Sequence, residues 1–345
     1  MSARKLLIIG NYGAGNLGDD AILGGILMDL EALKFKGGLT VTHGGLRSST
    51  DLYRNLKKIP FAPAGFRSRF KAAALEKQWA GHDLALFGGG GLFTDAESWK
   101  APYIWYRQAK ILQKLKIPYV ILGQSVGPLK TPWARWWTRK AFQGARAIHL
   151  RDETSLKWPQ RWGLSATVGT DFALSYLQAS PKVARQELLL LSFRKWPGFS
   201  LERLLTLVKP INEWAKKQHL KPILLSMEPL KEREFLQAFP WETYYPSSAR
   251  EAFLAFQKAK FAVTFRLHAG IFSLMASTPF LALAYSEKVT AFFKALGVDQ
   301  VILEPLEWEE ETLREALKGL SAPAFKAEAL IQTNRAFLKQ ALELL

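Results

Sequence analysis

The chain has 345 residues, no cysteine and a formal charge of +17, from 47 Lys and Arg against 30 Asp and Glu. That length exceeds one ordinary core and suits two domains, the missing cysteines exclude disulfides and cysteine-ligated zinc, and a 48% hydrophobic share excludes a disordered composition. The positive excess attracts anions, whether nucleic acid, anionic lipid or phosphorylated substrate, or it serves solubility alone. The opening MSARKLLIIGNYGAG carries no secretory signal, and runs such as ELLLLSF and FLALAY fall far short of the ~18–20 residues that cross a bilayer. The chain reads as cytoplasmic, free or peripheral on the inner face of the cell membrane.

Short apolar runs alternate with longer amphipathic stretches. Strands are expected at 5–10, 39–43, 84–87, 119–122, 147–150 and 166–168, then at 188–193, 222–226, 261–265, 280–284 and 301–303. Between them lie helical patterns, such as Leu204, Leu207, Val208, Ile211 and Trp214 within 201–218. Apolar strands alternating with helices imply parallel sheets covered on both faces. Two such series imply an α/β chain of two doubly wound, Rossmann-like domains facing a cleft, over residues 1–178 and 186–322. A punctuated linker lies near 178–185, and a final helix at 323–345 is a candidate to pack back on the first domain. Ligands in such folds bind outside the carboxyl ends of the strands.

Three strands of the first half end in glycine clusters. Gly13, Gly15 and Gly18 match a dinucleotide fingerprint as a string. However, "GNY" separates them from the strand, Asp19 and Asp20 crowd the helix start where a pyrophosphate would sit, and no acidic residue ends the second strand. Arg47 and Ser48 leave room for a 2′-phosphate. The clusters Gly88–Gly91 and Gly123–Leu129 supply backbone amides to a ligand, or they form tight turns. No P-loop string occurs.

Basic residues follow four strands: Arg151, Arg194, Arg266 with His268, and Lys288 beside Ser286 and Glu287. Each alone reads as a solvated loop residue. Together on one rim they suit a small, multiply charged anion, because Arg grips carboxylate and phosphate in forked pairs and Lys adds a point charge. His268 stands two residues after Arg266, so in extended chain both share a face. A histidine among cations is pressed toward its neutral form and is able to act as a base. His43, His82, His149 and His219 read as ordinary, His149 as a core residue.

The strings GNLGDDA, FGGGGLF, GQSVGP, RDETS, GTDFAL, FRLHAG and SEKV, in that order, resemble the polysaccharide pyruvyl transferases over about residues 5–295. The likeness is greatest to the bacterial type that pyruvylates a cell-wall polymer for surface-layer anchoring. It implies a GT-B-like fold and transfer of pyruvate from phosphoenolpyruvate to two hydroxyls of a sugar, as a cyclic ketal with release of phosphate. On the family pattern Arg151, Arg194, Arg266, Lys288 and Ser286 hold the donor, and His268 with Arg266 is catalytic. The acceptor falls to Asn16, Asp19, Gly89, Gly90, Asp95, Gln124 and Glu287, with Asp19, Asp95 or Glu287 assisting proton transfer or orienting hydroxyls. No cofactor or metal is implied. The expected partners are phosphoenolpyruvate and a sugar carried on a lipid diphosphate, with no nucleic acid; a homo-oligomer is compatible with the reading. A nucleotide-sugar glycosyltransferase of the same architecture and a non-catalytic anion- or nucleic-acid-binding protein are the alternatives.

The stretch KTPWARWWTRK places Trp133, Trp136 and Trp137 on one helical face among Lys and Arg, and 47–77 is basic with Phe61, Phe66 and Phe70 interleaved. This pattern suits an anionic membrane interface. Core filling and sugar stacking are the other readings of the tryptophans.

Overall fold

The structure is a computed structural model that describes residues 4–45, 52–53, 56–61, 75–178, 183–304 and 308–345. The first sheet holds β1 (Lys5–Ile9), β2 (Gly38–His43), β3 (Lys57–Pro60), β4 (Leu84–Phe93), β5 (Tyr119–Val126), β6 (Ile148–Leu150) and β7 (Thr167–Val168). Their order is β3-β2-β1-β4-β5-β6-β7. The second holds β8 (Gln186–Ser192), β9 (Lys221–Leu225), β10 (Glu242–Tyr244), β11 (Ala259–Thr264), β12 (Phe280–Leu283) and β13 (Ile302–Leu303), in the order β10-β9-β8-β11-β12-β13. Every strand pair is parallel. The two doubly wound sheets follow from strands that are apolar along both faces: all eight residues of β5 are buried. In each sheet the strand order reverses once, between β1 and β4 and between β8 and β11, and such points are where this architecture leaves a crevice.

All eleven expected strands are present, with ends displaced by a few residues. β3 and β10 are additional. Both are sheet-edge strands with short, largely exposed sequences, KKIP and ETY. An edge strand has little surface to bury, so it needs no apolar run. β4 runs on to Phe93 and β5 to Val126. The glycine clusters expected as loops after these strands are therefore largely within them.

The chain divides into two compact units, Met1–Ala14 with Ile22–Tyr176 and Glu328–Leu345, and Gly15–Ala21 with Leu177–Ala327. The core of the first unit is built on Trp79, Phe87, Phe93, Trp105, Tyr119, Phe142 and Trp158. The final helix, Glu328–Leu342, is held there by polar contacts. Asn334 accepts the Thr170 N–H at 2.9 Å and donates to the Thr170 carbonyl at 3.1 Å, while Arg335 pairs with the buried Asp29 carboxylate at 2.9 Å. The core of the second unit gathers Leu189, Leu191, Phe193, Ile211, Trp214, Phe265 and Trp308. Of the expected linker, residues 179–182 lie outside the described residues, as do Arg47, Ser48, Phe66 and Phe70.

In the first unit the glycine after β1 and those within β4 accommodate protein side chains. A Cβ on Gly10 would lie 2.4 Å from the buried Tyr12 ring, one on Gly88 2.6 Å from its hydroxyl, and one on Gly89 2.0 Å from Ile22. At the fingerprint itself a Cβ on Gly13 would lie 2.2 Å from the His43 ring, so a protein side chain occupies the space beside that backbone, which argues against the dinucleotide reading.

His149 on β6 is fully buried. Its Nδ1 accepts the Gly123 N–H at 3.2 Å and its ring packs 4.7 Å from Phe337 of the final helix. Burial lowers its pKa to about 4. As pH falls below about 6.5 the unfolded chain takes a proton that the folded chain refuses, so stability declines until about pH 4, by roughly 3 kcal/mol in all. Urea unfolding between pH 7 and 4 will show this slope, and His149→Asn, which keeps an acceptor for Gly123, will flatten it.

Candidate active site

The second sheet turns four chain segments out at the carboxyl ends of adjacent strands, in the order β9, β8, β11, β12. After β8 comes Arg194, and after β11 Arg266 and His268. These two exits flank the reversal of strand order. The strand β11 stops at Thr264, and Arg266 (φ −101°, ψ 137°) immediately precedes the helix Leu267–Met275. His268 is the second residue of that helix. The expectation that Arg266 and His268 share the face of a strand is therefore corrected: a strand-to-helix turn, not a two-residue repeat, sets their directions.

Arg266 is not a bare cation. Its side chain is 7% exposed and is gripped by two carboxylates that follow β9. The Nε donates to Glu232 Oε1 at 2.6 Å, Nη2 bonds the same oxygen, and Nη2 also reaches Glu228 Oε2 at 3.1 Å. Glu232 is itself fixed: its Oε2 accepts the Ser226 hydroxyl at 2.7 Å and the N–H groups of Met227 and Glu228, both at 3.0 Å. A guanidinium this deep requires such partners, because an unpaired buried charge is strongly destabilising. Burial works against both charges. The two carboxylates nevertheless hold Arg266 above the usual guanidinium range, and Arg266, Lys231 and Arg194 hold Glu228 below the usual carboxylate range. Neither glutamate was picked out in sequence. β9 and β11 are separated by β8, so nothing local links 232 to 266; the one available signal was that an arginine in an apolar run needs a carboxylate.

Arg194 is half-buried, with its guanidinium 5.0 Å from the Trp196 ring and 6.0 Å from that of Tyr285. Ser286 and Lys288 are half-buried at the start of the helix Glu287–Ala295, and Glu287 is exposed. The segment Gly15–Ala21 belongs to this unit too, tied by the Leu17 N–H to the Met227 carbonyl at 2.9 Å. Asn16 caps its helix, accepting the Gly18 N–H at 2.9 Å, and Asp19 and Asp20 fill the first turn. Gly18 lies directly under His268: a Cβ there would stand 2.3 Å from the ring's Cγ and Nδ1. The glycine of GNLGDDA thus seats the histidine of FRLHAG, a contact across 250 positions that no spacing rule reveals. The second unit contains Asn16, Asp19, Arg194, Arg266, His268, Ser286, Glu287 and Lys288.

The remaining expected residues belong to the first unit. Arg151 is buried, with Nη1 2.7 Å from Asp171 Oδ2 and Nε 2.6 Å from the Ser125 hydroxyl, which in turn bonds Asp152. Asp152 also caps the turn Glu153–Ser155. Burial would raise its carboxyl, but the hydroxyls of Ser125, Ser155 and Thr154 and the Arg151 charge hold it below the usual range. RDETS, GQSVGP and GTDFAL are thus threads of one buried network. Gln124 accepts the Leu92 N–H at 3.3 Å, and its Nε2 has no partner among the described residues. Gly89 and Gly90 adopt positive φ within β4. Asp95 spends both oxygens on the N–H groups of Lys130 and Thr131, at 2.7 and 2.8 Å, and on the Thr131 hydroxyl. Breaking a buried ion pair from one side costs about 3–5 kcal/mol. Glu232→Gln, which leaves Arg266 only Glu228, is expected to lie near the lower end, read as a drop in the urea midpoint.

A family model described as polysaccharide pyruvyl transferase matches residues 16–287. No curated protein matches the chain. Among solved structures, the chain is similar to UDP-GlcNAc 2-epimerase of Methanocaldococcus jannaschii, determined with UDP-GlcNAc and UDP (14% identity, 97% of this chain and 99% of that one, TM-score 0.63). It is also similar to a Listeria monocytogenes protein described as a UDP-N-acetylglucosamine 2-epimerase (10% identity, 99% and 97%, TM-score 0.66) and to that epimerase of Neisseria meningitidis bound to UDP-GlcNAc (10% identity, 98% and 99%, TM-score 0.61). At these identities the likeness speaks for the fold alone, which is GT-B-like. With the match running from the cap of the first helix to the site after β12, the chain belongs to the polysaccharide pyruvyl transferase family.

Proposed function

We propose that this pyruvyl transferase takes pyruvate from phosphoenolpyruvate and sets it as a cyclic ketal on a sugar of a cell-wall or exopolysaccharide precursor. The sugar is carried on a lipid diphosphate, and the product serves surface-layer anchoring. The observation that supports the reading is that Arg194, Arg266, His268, Ser286 and Lys288 all follow the carboxyl ends of the adjacent strands β8, β11 and β12 in one unit, the first two strands flanking the reversal of order. Phosphoenolpyruvate presents a carboxylate and a phosphate a few ångströms apart, which suits cations on neighbouring strand ends. Arg266 is already paired with Glu228 and Glu232, so it offers the donor oriented N–H groups rather than bare charge.

The reaction needs a proton on the methylene carbon, which makes C2 electrophilic. One sugar hydroxyl adds to C2 and gives up its proton. The C2–O bond to phosphate breaks, the phosphate leaves with the electron pair, and the second hydroxyl closes the ketal as its proton departs. His268 is the shuttle for these transfers, and the preorganised guanidinium groups stabilise the leaving phosphate. A nucleotide-sugar donor is the second reading, favoured by the fold likeness to epimerases determined with UDP-GlcNAc. The two separate in a thermal-shift titration: phosphoenolpyruvate is expected to raise Tm and UDP-sugars to leave it unchanged, and the reverse result would discard the proposal.

Two variants test the role of His268. His268→Ala is expected to lose turnover by roughly 100-fold or more while keeping donor binding, whereas Arg266→Ala loses both. Gly18→Ala is expected to lower turnover through His268 alone. Alanine intrinsically favours a helix over glycine by about 1 kcal/mol, so a variant with unchanged or raised Tm and much reduced phosphate release isolates the displaced ring.

A further inference from the structure

Between Glu97 and Asp152 the chain holds no acidic residue and eleven Lys or Arg. Two helices of the first unit lie in this stretch, Lys100–Lys114 and Pro132–Gln143. They pack side by side through their aromatic rings: Tyr103 meets Trp137 at 5.1 Å and Tyr106 meets Trp136 at 5.4 Å. The inner face of the second helix is small or apolar, with Ala134, Thr138, Ala141 and Phe142 buried. Trp133, Trp136, Trp137 and Lys140 share the opposite face, at the three- and four-residue spacing of a helix. Trp133 is 69% exposed and Trp136 46%, so core filling is excluded for both. Trp99, which precedes the first helix, is 59% exposed, with the Lys100 ammonium over its ring. Lys110, Lys130, Arg139 and Lys140 are exposed around these rings.

The platform is held firmly. Thr131 caps the second helix by accepting the Ala134 N–H, Asp95 binds the backbone and hydroxyl of Thr131, and Arg135 turns back onto the carbonyls of Leu129 and Lys130. Trp99 and Trp133 are more than half exposed and add little to folding where they stand, so their presentation beside the half-covered Trp136 points to a partner.

We propose that the outer faces of these two helices form the docking surface for an anionic lipid bilayer. The partner should be negative, because the two helices carry no carboxylate of their own and Glu76, which pairs with Lys114 at 2.7 Å, offsets a single charge at the end of the first helix. It must also accept indole rings, whose apolar bodies and polar N–H groups suit the headgroup boundary. Single-stranded nucleic acid is bound in grooves that track its backbone, whereas Trp133 and Trp136 are exposed on the surface of two packed helices. No helix among the described residues is long and apolar enough to cross a membrane, so the contact is peripheral. The inference does not depend on the reaction proposed above and would hold for either donor.

The test is co-sedimentation of the full chain with vesicles of phosphatidylglycerol and phosphatidylcholine, and with pure phosphatidylcholine, in low and high salt. Binding is expected to the anionic vesicles only and to weaken with salt. Trp133→Ala with Trp136→Ala is expected to reduce partitioning roughly tenfold or more, and Lys140→Ala about fivefold. Trp133→Ala alone should leave Tm at the parent's value, whereas the double variant also loses the Trp136–Tyr106 ring contact and should show a small fall in Tm. Failure of the parent chain to sediment with anionic vesicles at low salt overturns the proposal, as does full binding by the double variant. Tryptophan-dependent binding of single-stranded DNA or tryptophan-dependent dimerisation, with vesicles left unbound, overturns it in favour of those partners.

Discussion

The guanidinium of Arg266, buried at the end of β11 between Glu232 and Glu228, is the constraint around which the second unit is arranged. A charge at that depth is tolerable only with partners in place, and the partners come from the far side of β8. Glu232 fixes Arg266 with one oxygen and, with the other, gathers the chain leaving β9. The same turn supplies the Met227 carbonyl that receives the Leu17 N–H, so the segment bearing Gly18 is placed by it as well. Gly18 in turn sets the seat of His268. One ion pair thus links the strand ends, the capped helix and the histidine.

The first unit uses its polar motifs differently. Arg151, Ser125, Asp152 and Asp171 satisfy one another in the interior, and the glycine after β1 and those within β4 make room for Tyr12 and Ile22. Sequence strings that read as ligand contacts also serve here to pack and satisfy the interior of the first sheet. Asp95 extends the theme to the surface by fixing the entry to the tryptophan helix.

Much of this was legible in one chain. Apolar runs on both strand faces imply parallel sheets, and the runs at β1, β4, β5, β8, β11 and β12 suffice for the doubly wound architecture. The short edge strands β3 and β10 escaped because exposed edges need no apolar signal. The residues after β8, β11 and β12 were identifiable as a set, since cations and a histidine next to buried runs are costly without a use. Their setting was not identifiable. The sequence shows that Arg266 is positive, but not that two glutamates some 35 residues upstream offset it.

What the sequence by itself determined is the fold class, the family and the chemical character of the strand ends. Each of these depends on residue type and local order. Tertiary structure alone decided which charges are cancelled, which glycines seat a side chain and which tryptophans face out. Those outcomes depend on distances between segments far apart in the chain. Glu232 reaches Arg266 past β8 and Gly18 meets His268 across most of the sequence, and no local pattern encodes a separation in space.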